Sequence, residues 1–308
     1  MKISVVIPTH NNAKILPECL RRILGQTLAP EEYEVIVVND GSTDNTVGAI
    51  GEIRGIRVVN LDKNSGPSAA RNVGIKEAQA DLVIFIQDDI LVETDFLERH
   101  LKFHQDHAGV NEVLVGHTQY DPAIPSTPFM AWWEGQQFKF KKGSYLNFYP
   151  TNLSVKKEFL VKNGMFDEEF FINGHIGYED TELGYRLWKA GCGQAQGLAL
   201  HYDSSLKVLH HHMRTLKDIC EQSFYKGQLA HLLYKKHPEL QKVFRDDLKY
   251  NLTRFVVNSL TIKLLEPLAY WCEKRFKVSP LFWLVCRFYY NKGYARRRSF
   301  HSLPISEA

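Results

Sequence analysis

Cysteine is sparse and unpatterned in this chain. Five occur in 308 residues (Cys19, Cys192, Cys220, Cys272 and Cys286), an odd number with no C-x-x-C spacing. That reads as a protein of a reducing compartment rather than a disulfide framework. Net charge is small as well, +3 from 38 basic and 35 acidic residues, so no bulk field points to nucleic acid as a partner. No uncharged apolar run reaches the roughly 18 residues of a membrane-spanning helix. The nearest, Ser279–Tyr290, is interrupted by Arg287. The N-terminus has no basic region followed by an apolar block and a small-residue cleavage site, so no secretory leader is expected. The phosphate-binding signatures G-x-G-x-x-G and G-x-x-x-x-G-K-[ST] are both missing from the expected places. A dinucleotide-dependent dehydrogenase and a P-loop nucleotidase are thereby set aside. No internal repeat or low-complexity block stands out.

What is there is an ordinary globular composition, 44% hydrophobic and 24% charged, enough for a full core. The length suits about two domains, or one α/β domain with an extension. Four apolar runs in the first ninety residues each end in a polar cluster. Lys2–Ile7 leads into Pro8-Thr9-His10-Asn11-Asn12, and Glu34–Val38 into Asn39-Asp40-Gly41-Ser42-Thr43-Asp44. Arg57–Leu61 leads into Asp62-Lys63-Asn64, and Leu82–Ile86 into Gln87-Asp88-Asp89. Helical stretches separate them, which predicts a mostly parallel sheet covered on both faces. In such a sheet ligands bind outside the carboxyl ends of the strands. That edge would gather Asp40, Asn64, Asp88 and Asp89. Paired carboxylates there point to a divalent cation, and a cation points to phosphate.

The helical spacing of Ile15, Leu16, Leu20, Ile23 and Leu24 predicts a helix over Ala13–Gln26. Ser42 or Asp44 can cap the next helix, and Pro67 or Ser68 can open one through Ala69–Ala78. From Gly116 to Asn147 the pattern loosens. Prolines punctuate it and aromatics crowd in, among them Trp132, Trp133, Phe138, Phe140 and Tyr149. This is either a lid or acceptor platform, or a helix packed on the sheet. A strand at Asn152–Val155 and a helix at Lys156–Asn163 follow. From about Leu216 the chain reads as helical, basic and aromatic.

Several groups carry candidate chemistry. Asp88 and Asp89 can divide their work between a sugar or amide and a metal, unless they are solvated loop acids. Glu179-Asp180 opens a helix running to Gly191, where it is either an ordinary N-terminal cap or a general base. His210-His211-His212 follows a predicted strand, Leu206–Leu209. Alternation puts His210 and His212 on one face, where one could complete a metal shell begun by Asp89. In Gly66-Pro67-Ser68-Ala69-Ala70-Arg71-Asn72 the small residues allow close backbone approach. Arg71 offers a planar donor to phosphate, or pairs with a nearby acid.

Taken in order, these segments resemble a family 2 glycosyltransferase. Val5–Asn11, Val37–Asp44, Gly66–Asn72 and Gln87–Asp89 look like its nucleotide-binding half. Thr151–Ser154, Gly164–Glu168 and Tyr178–Leu187 look like its acceptor half. The resemblance implies a GT-A fold, a Rossmann-like α/β/α sandwich with a mostly parallel central sheet, plus a C-terminal helical extension. It places the catalytic domain at 1–228, split into a donor half at 1–110 and an acceptor half at 111–228, and the extension at 229–308. It implies that Pro8, Thr9, Asp40, Asn64, Gly66, Arg71 and Asp88 bind a nucleotide sugar. Asp89, with His210 or His212, would hold Mn2+ or Mg2+. Asp180, with Glu179 beside it, would be the base, and Trp132, Trp133 and Asn152 would meet the acceptor. Gln87 departs from the family, many members of which carry Asp there.

The activity implied is metal-assisted, inverting transfer from a nucleotide-diphosphate sugar, most often a UDP-sugar, to a saccharide or lipid-linked acceptor. A catalytically degenerate binding protein and a sugar nucleotidyltransferase are the rivals. The latter usually needs a Gly-rich basic N-terminal loop, which Pro8–Asn12 is not. The expected location is the cytoplasm, or the inner face of the cell membrane. The basic, aromatic tail, Ser279–Ala308 included, either lies on such a membrane or packs on protein, and self-association is open.

Overall fold

The computed structural model describes residues 1–137, 144–190, 197–245 and 257–296. Phe138, Phe140, Gly191, Cys192 and the arginines at 297 and 298 lie outside them. The chain divides into two compact units. The first comprises 1–126, 133–174 and 179–213; the second comprises 127–132, 175–178 and the chain from 214 onward.

The first unit is built on one eight-stranded sheet. Its strands are β1 (Ile3–Thr9), β2 (Tyr33–Asp40), β3 (Ile56–Leu61), β4 (Leu82–Ile86), β5 (Ile90–Val92), β6 (Glu112–Tyr120), β7 (Asn152–Lys156) and β10 (Ala199–His210). Two-residue strands β8 (Phe171–Ile172) and β9 (His175–Ile176) stand apart from it. The order across the sheet is β3-β2-β1-β4-β7-β6-β10-β5. β3, β2, β1 and β4 run parallel, and so do β6 and β10; β7 and the short β5 run against their neighbours. The α/β expectation with a mostly parallel sheet holds.

The strands are Val/Ile-rich because both faces are covered. Ile3, Val5 and Ile7 face one core with Leu16, Leu20 and Ile23 of helix α1 (Leu16–Leu24). Val6, Ile36, Val38 and Phe85 face the other, with Ala70 and Ile75 of α3 (Pro67–Glu77) and Leu183 and Leu187 of α7 (Glu179–Lys189). Each such fully buried side chain contributes about 1.5–3 kcal/mol relative to exposure. Short helices α2 (Thr46–Ile50), α4 (Phe96–Asp106), α5 (Pro128–Gln137) and α6 (Lys157–Lys162) complete the connections. Pro67 opens α3 at its first turn, as expected. The N-cap position of α2 is Asn45, whose side chain makes no capping bond; Asp44 before it accepts the Thr46 N–H at 2.9 Å instead.

The strand β6 corrects the reading of a loosened pattern from Gly116. Its polar second half is covered because the sheet continues to β10. Gly116 is required there: a Cβ would stand 2.2 Å from Asn152 Nδ2 and 2.4 Å from the Leu206 carbonyl oxygen. Beneath it lies a buried polar network. The His100 ring nitrogens reach Ser154 Oγ at 2.8 Å and Asn152 Oδ1 at 3.2 Å, and His104 Nε2 reaches Ser154 Oγ at 2.9 Å. Burial lowers the pKa of His100 to about 3 and of His104 to about 4. Both are therefore neutral when folded, while an unfolded histidine titrates near 6.5. As pH falls the unfolded chain takes up protons first. Stability from this pair is complete above 6.5 and is lost as pH drops from there toward 4. The urea midpoint should fall between about pH 7 and about pH 5, and a flat midpoint would show that the pair is not held neutral.

From residue 214 onward the described elements of the second unit are helical: α8 (Leu216–Lys236), α9 (Leu240–Arg245), α10 (Ile262–Cys272) and α11 (Ser279–Ala295). Thr215 and Asp218 form a reciprocal capping box at the start of α8. Among the described residues no helix is long and apolar enough to cross a membrane.

Candidate active site

Because β1 to β4 are parallel, their carboxyl ends share one edge, and Thr9, Asp40 and the Asp88-Asp89 pair come to it. Asp40 is buried. One carboxylate oxygen accepts the Ser65 N–H at 2.7 Å and the other the Gly66 N–H at 2.8 Å. Its carbonyl accepts from His10 Nδ1 at 2.8 Å. Burial raises the Asp40 pKa, opposed by those two amides and by His10. Asn64 joins the same turn, its Oδ1 accepting the Gly66 N–H at 3.2 Å and its Nδ2 lying 3.1 Å from His10 Nε2. Gly66 holds φ +91, and a Cβ there would sit 2.5 Å from the Phe171 ring. Asp40, Asn64 and Gly66 thus form one braced turn at the sheet edge.

Beside it Thr9 Oγ1 donates to Asp88 Oδ2 at 2.6 Å, tying the ends of β1 and β4 together. Desolvation and then the charge of Asp89 raise the Asp88 pKa to about 7, against hydrogen bonds from Thr9, Asn12 and the His10 backbone. The Cys19 thiol donates to the Asp88 carbonyl at 3.1 Å. Asp89 follows, buried at 6% exposure. The strand β5 then pairs with β10 in the register His210 to Ile90, which carries both outer histidines to it. His210 Nε2 lies 3.1 Å and His212 Nδ1 2.9 Å from Asp89 Oδ2. His211 faces away to Asp121 at 2.7 Å, as alternation requires. Burial works to raise the Asp89 pKa, but the two histidines outweigh it and hold the carboxylate well below its usual range. One ligand atom from each of Asp89, His210 and His212 lies within 4.8 Å of the others. Asp89 Oδ1 is buried with no hydrogen-bond partner. An orphaned carboxylate oxygen among two imidazoles fits a divalent cation.

The Arg71 side chain is buried at 2% exposure, its guanidinium 5.2 Å from the Phe166 ring centre. Its Nε and Nη1 have no partner. Burial lowers its pKa, while Glu179, Asp180 and Asp88 pull it back up. Asp88 and the adjacent pair Glu179-Asp180, about ninety positions apart in the chain, thus act on the same buried cation. Asn72 holds the Phe166 segment in place, donating to the Phe166 carbonyl and to Glu168 at 2.8 Å each. Glu179 and Asp180 lie in the first turn of α7, where the helix dipole favours them. Glu179 is buried; Asp180 is half-buried, its Oδ1 accepting the Thr181 N–H at 2.6 Å. Burial, and then the charge of Asp180, raise the Tyr149 pKa to about 12, which puts Tyr149 beside this acid. Sequence reasoning counted Tyr149 only among the aromatics.

The predicted acceptor residues fare unevenly. Trp132 is buried in the second unit, its ring 5.7 Å from both Phe129 and Phe282. It is a packing residue, as aromatic side chains mostly are. Trp133 is half-buried in the first unit. Asn152 is buried, donating to the Leu206 carbonyl at 3.0 Å and accepting from His100, so its amide serves the scaffold.

The sequence model of glycosyl transferase family 2 matches residues 4–160, just over half of the chain. The chain belongs to glycosyl transferase family 2. That match takes in Thr9, Asp40, Arg71, Asp88 and Asp89; Asp180, His210 and His212 lie beyond it and stand on geometry. Validoxylamine A glucosyltransferase of Streptomyces hygroscopicus subsp. limoneus is 30% identical over 221 residues, 61% of this chain and 48% of that protein. Poly(ribitol-phosphate) beta-N-acetylglucosaminyltransferase TarS of Staphylococcus aureus strain Mu50 is 35% identical over 111 residues, 35% of this chain and 19% of that protein. The chain spans under half the length of these curated relatives. Among solved structures, S. aureus TarS in complex with UDP superposes with a TM-score of 0.55 at 22% identity, covering 96% of this chain and 89% of that one. A mannosyltransferase from Pyrobaculum calidifontis in complex with GDP-Man and Mn2+ gives 0.59 at 16% identity, covering 96% and 86%. These likenesses concern the fold, which for this family 2 chain is GT-A.

Proposed function

We propose that the chain is an inverting hexosyltransferase that moves a sugar from a nucleotide-diphosphate donor, a UDP-sugar foremost, to a hydroxyl of a saccharide or lipid-linked acceptor. The observation that carries this reading is the buried Arg71 with two unspent donors, set among Asp88, Glu179 and Asp180. A buried cation with free N–H groups calls for an anion, and a rigid fork suits phosphate. The relatives' names add a class of acceptor, a cell-envelope polymer such as poly(ribitol-phosphate).

Asp89, His210 and His212 would hold the cation, Mn2+ before Mg2+, because two imidazoles make a softer site than Mg2+ prefers. When bound it supplies positive charge against the diphosphate. The other steps belong to side chains. The turn of Asp40, Asn64 and Gly66, with Pro8, receives the nucleoside. Thr9 fixes Asp88 toward the sugar or ribose, and Arg71 faces the base or diphosphate. Asp180 takes the proton of the acceptor hydroxyl, with Glu179 buried behind it. The acceptor oxygen attacks the anomeric carbon opposite the diphosphate, the bond to the diphosphate oxygen breaks, and the centre inverts. Trp133 is the remaining aromatic candidate for the acceptor. Gln87, neutral where many members carry Asp, supports one second reading, a donor-binding protein without turnover. The site in the cytoplasm accords with free thiols at Cys19, Cys220, Cys272 and Cys286.

Thermal shift against nucleoside diphosphates and their sugars, with and without Mn2+, tests the donor site. A bound ligand at a hundredfold excess over Kd stabilises by about 2.7 kcal/mol. Release of nucleoside diphosphate on adding acceptor separates the enzyme from the silent binder. Arg71→Met should weaken donor binding roughly 10–100-fold and also lower fold stability, because Asp88, Glu179 and Asp180 lose the buried cation that offsets their charge. Unchanged donor affinity by calorimetry would remove Arg71 from the site.

A further inference from the structure

The second unit carries an apolar stripe on its outside. Leu264, Leu268 and Trp271 follow one another at spacings of four and three along α10, so they share one helix face, and Leu260 lies in the turn just before it. They are 74%, 79%, 48% and 51% exposed, and Phe276 beyond the helix is 52% exposed. The opposite face is the buried one, through Ile262, Ala269 and Cys272. Contiguous exposed apolar surface of this kind marks an interaction site.

Among the described residues of this segment, 257–278, the exposed charges have one sign. Lys263, Lys274, Arg275 and Lys277 are exposed at its borders, and the Arg275 guanidinium lies 5.2 Å from the Trp271 ring centre. Both acids of this segment are turned inward. Glu266 accepts from the Tyr289 hydroxyl at 2.6 Å, and buried Glu273 accepts the Leu216 N–H at 2.6 Å. We infer that the face formed by Leu260, Leu264, Leu268, Trp271 and Phe276 docks on the surface of an anionic lipid bilayer. Leucine and aromatic side chains enter the headgroup boundary while lysine and arginine keep their heads at the phosphates. A second copy fits less well, since a two-fold contact would bring four cations against the same four. The sequence leaves the basic, aromatic tail open between membrane and protein, and this assignment divides it. Leu281, Phe282, Val285 and Cys286 of α11 are buried and unavailable, and the free face belongs to the preceding helix.

The full chain should co-sediment with vesicles containing about a third phosphatidylglycerol and remain in solution with purely zwitterionic vesicles, more so at low salt. Leu264→Glu with Trp271→Glu should lower binding more than about tenfold. Lys274→Gln with Arg275→Gln and Lys277→Gln should lower it without touching the apolar face. All these positions are exposed, so melting temperatures should hold, and the charge variant decides the matter if the apolar one melts early. Sedimentation velocity without lipid should give one species independent of concentration. No binding to either vesicle overturns the inference, as does equal binding to both. Self-association abolished by Leu264→Glu and Trp271→Glu, with no vesicle binding, assigns the face to a second copy instead. Donor binding should be unchanged throughout, which keeps this question separate from the transferase reading.

Discussion

Replacing Asp89 with alanine is expected to lower transfer about a thousandfold and to erase the Mn2+ dependence of nucleotide binding. Asp89 Oδ2 collects His210 Nε2 at 3.1 Å and His212 Nδ1 at 2.9 Å, while Oδ1 is buried with no partner. Alanine would leave two imidazoles facing a space with no anion. A single carboxylate is the only hard oxygen among the three candidate ligands, so its loss removes what suits Mn2+.

A structural role predicts something else. Asp89 also joins β5 to β10, its carbonyl accepting the His211 N–H at 2.8 Å. That backbone bond survives any side-chain change. Asp89→Asn separates the roles, because the amide keeps the shape and one acceptor oxygen but loses the charge. If the carboxylate only tethers histidines, Asn should preserve most activity. If it holds a cation, Asn should fail nearly as badly as Ala while melting close to the parent. Unaltered Mn2+ dependence of nucleotide binding in Asp89→Ala would end the metal assignment.

The parts of this site that were legible in the sequence share a cause. β1 to β4 are Val/Ile-rich runs because they are covered on both faces, and each ends in the polar residues that reach the ligand edge. The period of two put His210 and His212 on one side and His211 on the other, as observed. The partner strand of that contact was not legible. β5 has three residues, and no pattern announces a pairing whose stabilisation comes from β10, over a hundred positions away. β6 escaped because Gly116, His117 and Thr118 break its apolar run, and its Gly is explained only by the Asn152 side chain beside it. The double duty of Asp40 was hidden for a different reason. Side chain to backbone hydrogen bonds of a turn leave no mark in hydrophobic periodicity, so an acid that braces Ser65 and Gly66 reads like one facing solvent. Trp132 and Asn152 show the same limit in reverse, since residue types suited to binding sugars are equally suited to packing and to buried polar networks.

Asp180→Asn should lower kcat by about a hundredfold to ten-thousandfold and leave donor affinity within about twofold. Two adjacent acids open α7, and the structure treats them differently. Glu179 is buried, and Asp180 is half-buried at the start of the helix, where its charge adds to the burial that raises the Tyr149 pKa to about 12. The more accessible carboxylate is the better placed to meet an incoming hydroxyl. Asn at 180 can still accept the Thr181 N–H, so the first turn should remain formed. The loss of favourable charge at a helix N-terminus costs about 0.3–1 kcal/mol, too little to unfold the unit. What Asn cannot do is take a proton from the acceptor. Glu179→Gln is the paired measurement: its first effect should be on stability, because the change falls on a buried group near the Arg71 charge. If Glu179→Gln abolishes turnover in a stably folded protein while Asp180→Asn retains it, the base is Glu179. If both variants turn over at the parental rate, neither acid takes the proton, and the direct displacement by a base at this helix is wrong.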